Sequence, residues 1–453
     1  MSGHTESALG RLALVSLFAL APRFFFKTEV TFPEGMAVAP HTYLAITHKR
    51  DIDAMAPVPY LLKRRGWHSL THEVHFATRA DAFAPGFLAR LVLRPRWFSH
   101  VLRPISVGPI LRGVGVHPLH GLHLRPLETW VREWLAAEGD GPTGNVLSQD
   151  TIALLAEAHR RRGATTQRDI TERLAAQPLS RLLEWRYHTP MQRLCGTEIF
   201  ADSAHRSAVR RAILEIERQI GELADCLRSG HSLYTSPEGR LSPDGLLSPI
   251  PGGLARLLEV APADTRVQPI AIVYDFIHTG RVRMLVDVAS PIEGGAQLSP
   301  KELAERLRAA WLEAMRFTCT QLATGVLVGR AAQPGAGWTL GELAHEVGIR
   351  ARDLAQSGRL VDPRLLEPQS LHERVAGYVR YLARRKLVQP VGGNRWQLAI
   401  QLRPIQLPPG DVGYNREPLT YAWNELQDML SLLPAGAPEQ VHAAACESDE
   451  ESL

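Results

Sequence analysis

The sequence predicts an α/β fold, on three observations. Short apolar runs rich in β-branched and aromatic residues read as strands: Tyr43-Leu44-Ala45-Ile46-Thr47, His231-Ser232-Leu233-Tyr234-Thr235 and Val267-Gln268-Pro269-Ile270-Ala271-Ile272-Val273-Tyr274. Between them lie stretches with helical periodicity. The clearest runs from Ala204 to Arg228, with Val209, Ile213, Ile216, Ile220 and Leu223 on one face. The chain has 453 residues, more than one compact domain usually needs, so two or more domains are expected.

The N-terminal element is read as an amphipathic, hydrophobic helix over residues 1–30. Its apolar run, Leu12 to Pro22, is extended by Phe24-Phe25-Phe26 across Arg23. That is shorter than the roughly 18 to 20 apolar residues of a spanning helix, and it has no small-residue cleavage site. A helix lying at a membrane interface and a core helix packed on a sheet both fit it. The main α/β domain is expected over 31–333, with a helical insertion at about 119–195. In that insertion Thr129 to Leu135, Thr151 to Ala158 and Ile170 to Trp185 read as amphipathic helices, and Glu138 to Gly144 as a loop. The Arg run on the helix from Ala204 (Arg206, Arg210, Arg211) reads as a solvated face.

Past Arg330 the pattern changes. Pro334-Gly335-Ala336-Gly337 reads as a linker, so few contacts should cross a boundary near Gln333. Trp338 to Ile349 has the cadence of helix, turn, helix. A second helical run ends in the basic Arg384-Arg385-Lys386, and Gly392-Gly393-Asn394 reads as a hairpin, which together outline a winged-helix-like module over 338–405. A closing helix segment is expected over 406–435 and a disordered acidic tail over 436–453.

Composition narrows the class. Hydrophobic content of 45% and charged content of 22% are ordinary for a globular protein, and a formal charge of +4 is modest. Most positive charges are Arg, which suits phosphate and anionic lipid surfaces without demanding nucleic acid, so no nucleic-acid partner is expected. The cysteines Cys195, Cys226, Cys319 and Cys446 show no paired short spacing. Neither a zinc site nor a disulfide framework is suggested, and a reducing, cytoplasmic compartment is expected.

Two blocks carry chemistry. The first is Thr47-His48-Lys49-Arg50-Asp51-Ile52-Asp53, at the end of the first strand and before the apolar stretch Ala54 to Leu62. A spacing of five within one helix separates two side chains by roughly 140° of rotation, so His48 and Asp53 meet only if the chain turns between them. An imidazole held by a carboxylate takes a proton from an attacking hydroxyl; the carboxylate fixes its tautomer and stabilises the imidazolium. The second block, Ser236-Pro237-Glu238-Gly239-Arg240-Leu241-Ser242-Pro243-Asp244-Gly245, follows the second strand. Gly239 and Gly245 permit tight turns whose backbone N–H groups favour anions, and Arg240 supplies a planar donor fork suited to phosphate. Glu238 reads as the group that holds the loop through backbone or Arg. Taken singly, each block also fits an ordinary polar loop.

Together, and in this order, the blocks resemble the first and third sequence blocks of the glycerolipid acyltransferases, which acylate glycerol phosphate and lysophosphatidate. The strand Val267 to Tyr274 matches the apolar strand with Pro that follows in the family, and the resemblance covers roughly residues 30–290. It implies an acyltransferase domain with a mixed sheet flanked by helices, His48 as general base and Asp53 as its partner. Glu238, Gly239 and Arg240 would form part of the acceptor phosphate site. An acyl-CoA or acyl carrier protein would be the donor and co-substrate, with no cofactor or metal. A peripheral membrane surface would be a partner. Tyr421 to Leu426 resembles the closing helix of some glycerol-phosphate acyltransferases.

The chain also departs from the family pattern. Family members usually carry Asn before the His and often Ser two after it, where this chain has Thr47 and Arg50. The usual Thr-Arg-Ser after Glu-Gly is here Arg240-Leu241-Ser242. Two stretches compete for the second block, Gly113 to Pro118 and Gly196 to Asp202, and neither ends in the expected Arg. These departures leave two alternatives open: a non-catalytic lipid-binding or regulatory protein on the same fold, or an acyltransferase for a non-phosphate alcohol.

Overall fold

The computed structural model describes residues 26–34, 36, 38–50, 53, 57, 60–61, 73–83, 106–113, 115–119, 125–160, 167–184, 187–191, 194–276, 282–331, 337–400, 405 and 413–432. Along the chain come strands β1 (Phe26–Thr31), β2 (Thr42–Ile46), β3 (Val74–Arg79) and β4 (Val116–Leu119). A two-residue pair follows, β5 (Arg125–Pro126) with β6 (Leu194–Cys195), then β7 (Ser232–Thr235), β8 (Arg266–Asp275) and β9 (Val282–Val288). Three short strands close the set, β10 (Trp338–Thr339), β11 (Val388–Gly392) and β12 (Arg395–Leu398). The protein is α/β, its β structure mixed, and the chain divides into two compact units.

The smaller unit runs from His75 to Asp225. Its strands β3 and β4 pair in parallel. Its helices are α1 (Gly108–Arg112), α2 (Leu127–Glu138), α3 (Thr143–Val146), α4 (Gln149–Arg160), α5 (Gln167–Ala176) and α6 (His188–Met191), followed by the long α7 (Asp202–Arg228). The helices from α2 onward share one apolar core, in which Trp130, Leu155, Leu174, Leu182 and Phe200 meet Ala204, Ala208 and Ala212 of α7. Residues spaced by four lie on one helical face, so small Ala side chains let α7 approach closely. The single helix expected over Ile170 to Trp185 is instead two pieces: α5 stops at Ala176, and a 3-10 turn spans Leu179–Leu183. Pro178 is the reason. It cannot donate to the helix ladder, and it forces Gln177 out of the helical region.

The larger unit holds the described residues up to Val74 and from Cys226 onward. Its sheet has the order β1-β9-β8-β2-β7. All neighbours are parallel except β8 and β9. Every residue of β2 and β7 is buried, which explains why both read as continuous apolar runs rather than as alternating ones. Phe26 to Val30 belong to strand β1 and not to the expected N-terminal helix, because Phe26 to Thr31 pair residue by residue with β9. The remainder of that expected helix lies outside the described residues, as does the acidic tail.

Helices α8 (Gly253–Val260), α9 (Pro300–Ala314), α10 (Cys319–Ala331), α11 (Leu340–Gln356), α12 (Pro368–Arg384), α13 (Gly413–Arg416) and α14 (Pro418–Leu430) complete this unit. Helix α9 opens with a capping box between Ser299 and Glu302 and sends the Trp311 indole N–H to the Ala45 carbonyl of β2, 3.0 Å away. Trp338 to Ile349 does not turn partway: Thr339 and Glu342 form a second capping box, and α11 runs unbroken to Gln356. The hairpin at Gly392-Gly393-Asn394 forms, with all three residues at positive φ. Among the described residues, no helix is long and apolar enough to cross a membrane.

The described residues 337–400 and 413–430 group with the sheet in the larger unit. A buried charge cluster is one reason. The fully buried Arg283 of β9 pairs with Glu29 of β1 at 2.8 Å, with Asp275 of β8 at 3.2 Å, and with Asp362, in the turn before α12, at 2.6 Å. Arg374 of α12 also bonds Asp275. The linker-like composition of Pro334 to Gly337 says nothing about what packs on either side of it, and ion pairs between residues far apart in sequence leave no local pattern. Burial works to raise the Asp362 pKa, but the hydrogen bond and charge of Arg283 outweigh it and hold the carboxyl below its ordinary range.

This predicts a pH-dependent cost for Asp362→Asn. Removing one partner of a buried pair costs about 3–5 kcal/mol, so urea unfolding at pH 7 should show a loss of that order. A depressed carboxyl contributes stability above its unfolded pKa and loses it as the pH falls through the folded one. The gap between wild type and variant should therefore shrink below about pH 4. Equal stabilities at pH 7 would remove the cluster from the account of how these elements are joined.

Candidate active site

The two chemistry-bearing blocks come together at the carboxyl ends of adjacent parallel strands. Strand β2 pairs with β7, Tyr43 to Leu233 through Ala45 to Thr235. His48 lies two residues past the end of β2, and Glu238 three past the end of β7. Crevices at such strand ends are where open α/β sheets place their ligands.

Glu238 ties the blocks together. Its Oε1 accepts the His48 backbone N–H at 2.9 Å, and its Oε2 accepts the Ser248 N–H at 2.8 Å and faces the Ser242 hydroxyl at 3.4 Å. Ser242 in turn donates its own N–H to the His48 carbonyl at 2.8 Å. Glu238 is buried, so it braces the loop from beneath. Gly239 and Arg240 sit above it, exposed at the turn, with Gly239 at φ +68°. The Arg240 side chain has no hydrogen-bond or ion-pair partner among the described residues.

The chain turns between His48 and Asp53, as the spacing requires. The Asp53 N–H donates to the Arg50 carbonyl at 3.0 Å, and its carboxylate folds back to accept the N–H groups of Lys49 (2.5 Å) and Arg50 (2.7 Å) at Oδ2. His48 Nδ1 faces the same oxygen at 3.9 Å. The pair is thus in ion-pair range, longer than a hydrogen bond. Asp53 is fully buried, and its Oδ1 accepts the Tyr274 hydroxyl. Burial raises the Asp53 pKa, opposed by the charge of His48 and by these donors. Residues 51–52 and 54–56 of this block lie outside the described residues.

Thr47 stands where Asn is usual in the resembled family, and it has a definite job. Strand β8 outruns β2: the ladder between them ends at Ile46 and Ile270, while β8 continues to Asp275. Thr47 covers this free edge by donating its N–H to the Ile270 carbonyl at 3.1 Å and accepting the Ile272 N–H on its hydroxyl at 2.9 Å. The same overrun carries Tyr274 to Asp53. Tyr234 of β7 adds a further tie, its hydroxyl meeting the Asp53 carbonyl at 3.0 Å.

Lys49 and Arg50, named in the first block, have contacts that the sequence reading did not assign. The Lys49 side chain is buried and pairs with the buried Glu425 of α14, which also accepts from Gln321 of α10. Arg50 lies against aromatic rings, its guanidinium carbon 4.4 Å from the centroids of Tyr274 and Tyr414 and 5.0 Å from that of Phe276. The aromatic residues carried a signal as Tyr274 and Phe276 at a strand end, but nothing local linked them to Tyr414.

Helix α14 also seats the loop that follows Glu238. Gly245, at φ +95°, lies so close to this helix that a Cβ would stand 2.3 Å from the Tyr421 carbonyl oxygen. Asn424 donates to the Asp244 carbonyl at 2.9 Å, and Asp428 accepts the Leu247 N–H at 2.8 Å. Of the second-block candidates, the described residues of Gly113 to Pro118 are Gly113 and Gly115 before β4 and Val116 to Pro118 within it. Gly196 to Asp202 forms a 3-10 turn and the start of α7, and both stretches lie in the smaller unit.

No family model matches this chain, and no curated protein matches it either. The residues of the site therefore carry the functional argument alone.

Burial pushes the Glu238 pKa up to about 7, against the pull of the two backbone N–H groups and of Lys49. A raised carboxyl supports the fold below its unfolded pKa and loses that contribution as the pH rises through the folded value. Wild type should therefore lose stability relative to Glu238→Gln between pH 5 and 8, by up to about 3 kcal/mol. Parallel denaturant curves for the two proteins across that range would refute the raised value.

Proposed function

We propose that this protein is an O-acyltransferase. It moves a fatty acyl group from an acyl thioester, acyl-CoA or acyl carrier protein, to the hydroxyl of a glycerol-phosphate-type acceptor in phospholipid biosynthesis. The observation that carries this reading is the meeting of His48, Asp53 and the Glu238 loop at the ends of β2 and β7.

In this mechanism Nδ1 of His48 faces the Asp53 carboxylate, so Nε2 takes the proton from the acceptor hydroxyl. The hydroxyl oxygen attacks the thioester carbonyl carbon, a tetrahedral intermediate forms, and the carbon–sulfur bond breaks. The imidazolium returns its proton to the departing thiolate. No covalent acyl-enzyme is needed. Asp53 orients the ring and stabilises its charged form, and Tyr274 and the Lys49 and Arg50 N–H groups fix the carboxylate in turn. Gly239 and Arg240 supply the exposed turn on which an acceptor phosphate would rest, with Glu238 holding it. The protein would work in the cytoplasm at a membrane surface, where acceptor and product reside.

A positioned base supplies a factor of about 10² to 10⁴ in rate. His48→Ala should lower turnover of palmitoyl-CoA with glycerol phosphate or lysophosphatidate by that factor, with an unchanged circular dichroism spectrum. A folded variant that turns over like wild type would end this assignment. Arg240→Ala should raise the Michaelis constant of the acceptor more than that of the donor, since a charge-assisted contact is worth about 1.5–3 kcal/mol. Equal effects on both substrates would take Arg240 out of the acceptor site.

A further inference from the structure

The contacts of the Arg50 side chain lead to Asp53, on the Nδ1 side of His48. Its guanidinium carbon stands 4.4 Å from the centroid of the Tyr274 ring, and the hydroxyl of that ring donates to Oδ1 of Asp53. The other carboxylate oxygen, Oδ2, faces Nδ1 of His48 at 3.9 Å. A cation, a phenol, a carboxylate and an imidazole thus touch in succession. Tyr414, Phe276 and Phe26 hold the cation in place, at 4.4, 5.0 and 5.7 Å, and no ion pair to a carboxylate accompanies these contacts among the described residues.

A positive charge on the face of a phenol draws density from the ring and makes its hydroxyl a stronger donor. A strong donor on a carboxylate favours its ionised form. Asp53 and His48 bind protons as a coupled pair. Whatever stabilises the fully deprotonated pair lowers its affinity for a proton and leaves the imidazole ready to take one from a hydroxyl. The directions of titration agree with the geometry. Burial raises the Asp53 pKa, and the Tyr274 hydrogen bond opposes that rise; burial also raises the Tyr274 pKa, and the charge of Arg50 opposes it.

The other polar groups around the pair are engaged elsewhere. Tyr234 of β7 donates to the Asp53 carbonyl and not to its carboxylate. Lys49 gives Asp53 only its N–H and turns its ammonium to Glu425 of α14. Glu238 holds the His48 N–H. Tyr421 of α14 meets the Tyr414 ring edge-on at 5.6 Å, and Tyr381 of α12 feels the Arg50 charge from a further side.

We propose that Arg50 and Tyr274 are positioning residues that keep the His48–Asp53 pair unprotonated near neutral pH, with Arg50 acting through the Tyr274 ring. This rests on the acyl-transfer reading for the role of the pair, and the first measurement does not depend on it.

The His48 imidazole of the full chain is followed by NMR across a pH titration, its signal assigned by its absence from His48→Ala. Tyr274→Phe keeps the ring and removes the hydroxyl. Arg50→Gln removes the charge, and Arg50→Lys keeps it. None of these removes the backbone N–H groups that Asp53 accepts. The His48 midpoint should rise by about one pH unit, tenfold in proton affinity, in Tyr274→Phe and in Arg50→Gln. Arg50→Lys should stay near wild type, and the double variant should shift by less than the sum of its parts. Glu238 is common to every variant, so its own titration drops out of the differences. In transfer from palmitoyl-CoA to glycerol phosphate, the acid limb of kcat/KM should move up by the same amount, with activity recovering at higher pH. An unmoved midpoint in Tyr274→Phe, with activity lowered by one factor at every pH, would reduce the tyrosine to packing and overturn the proposal. Additive shifts, or an Arg50→Lys that matches Arg50→Gln, would remove the arginine's charge from it. If Arg50→Gln does not fold, the near-isosteric Tyr274→Phe decides. These shifts in a wild type that transfers no acyl group would sink the acyltransferase reading and leave the Arg50–Tyr274 relay standing.

Discussion

A single buried carboxylate sets the geometry on which the site depends. Asp53 accepts two consecutive backbone N–H groups and a tyrosine hydroxyl. An unpaired carboxylate could not stay ionised at this depth, so the donors are a condition of its presence. By gripping the backbone of Lys49 and Arg50, it forces three neighbouring side chains to diverge. His48 turns toward the carboxylate, Lys49 into the core toward Glu425, and Arg50 onto the aromatic rings. A conventional helix start here would satisfy the same N–H groups with fewer parts but would not separate these roles.

The site is also supported from beyond its own strands. Glu238 couples the first block to the second, while α14 seats the remainder of that loop through Asn424, Asp428 and the close approach at Gly245. Lys49–Glu425 runs from the first block to the same helix. Both blocks therefore share one brace, and a displacement of α14 would reach His48 by two routes. The charge cluster around Arg283 plays the corresponding part at β1, β8 and β9, joining them to the segment before α12 and to α12 itself.

The strands were legible in the sequence because buried parallel strands are apolar throughout, and Tyr43 to Thr47 and His231 to Thr235 say so directly. The long helix α7 was legible because one face repeats at the helical period. His48, Asp53 and the Glu238 turn stood out because their residue types carry chemistry at a spacing only a turn can satisfy. What stayed hidden was every contact between distant segments. Tyr274 reaches Asp53 only because β8 is longer than its neighbour, a fact set by register. Lys49 gave no sign of burial, since a lysine reads as solvated until its Glu is found far along the chain. Local signals failed where two of them competed: Pro178 outweighed the leucine periodicity that suggested a single helix.

The ion pair between Lys49 and Glu425 has a consequence in time. Its partners are 376 residues apart. At synthesis rates of about 5–20 residues per second, roughly 20 to 75 s separate the appearance of the lysine from that of its glutamate. Throughout that interval the His48 block lacks this brace, and Lys49 remains hydrated. The first block thus waits, incomplete, on a helix made much later.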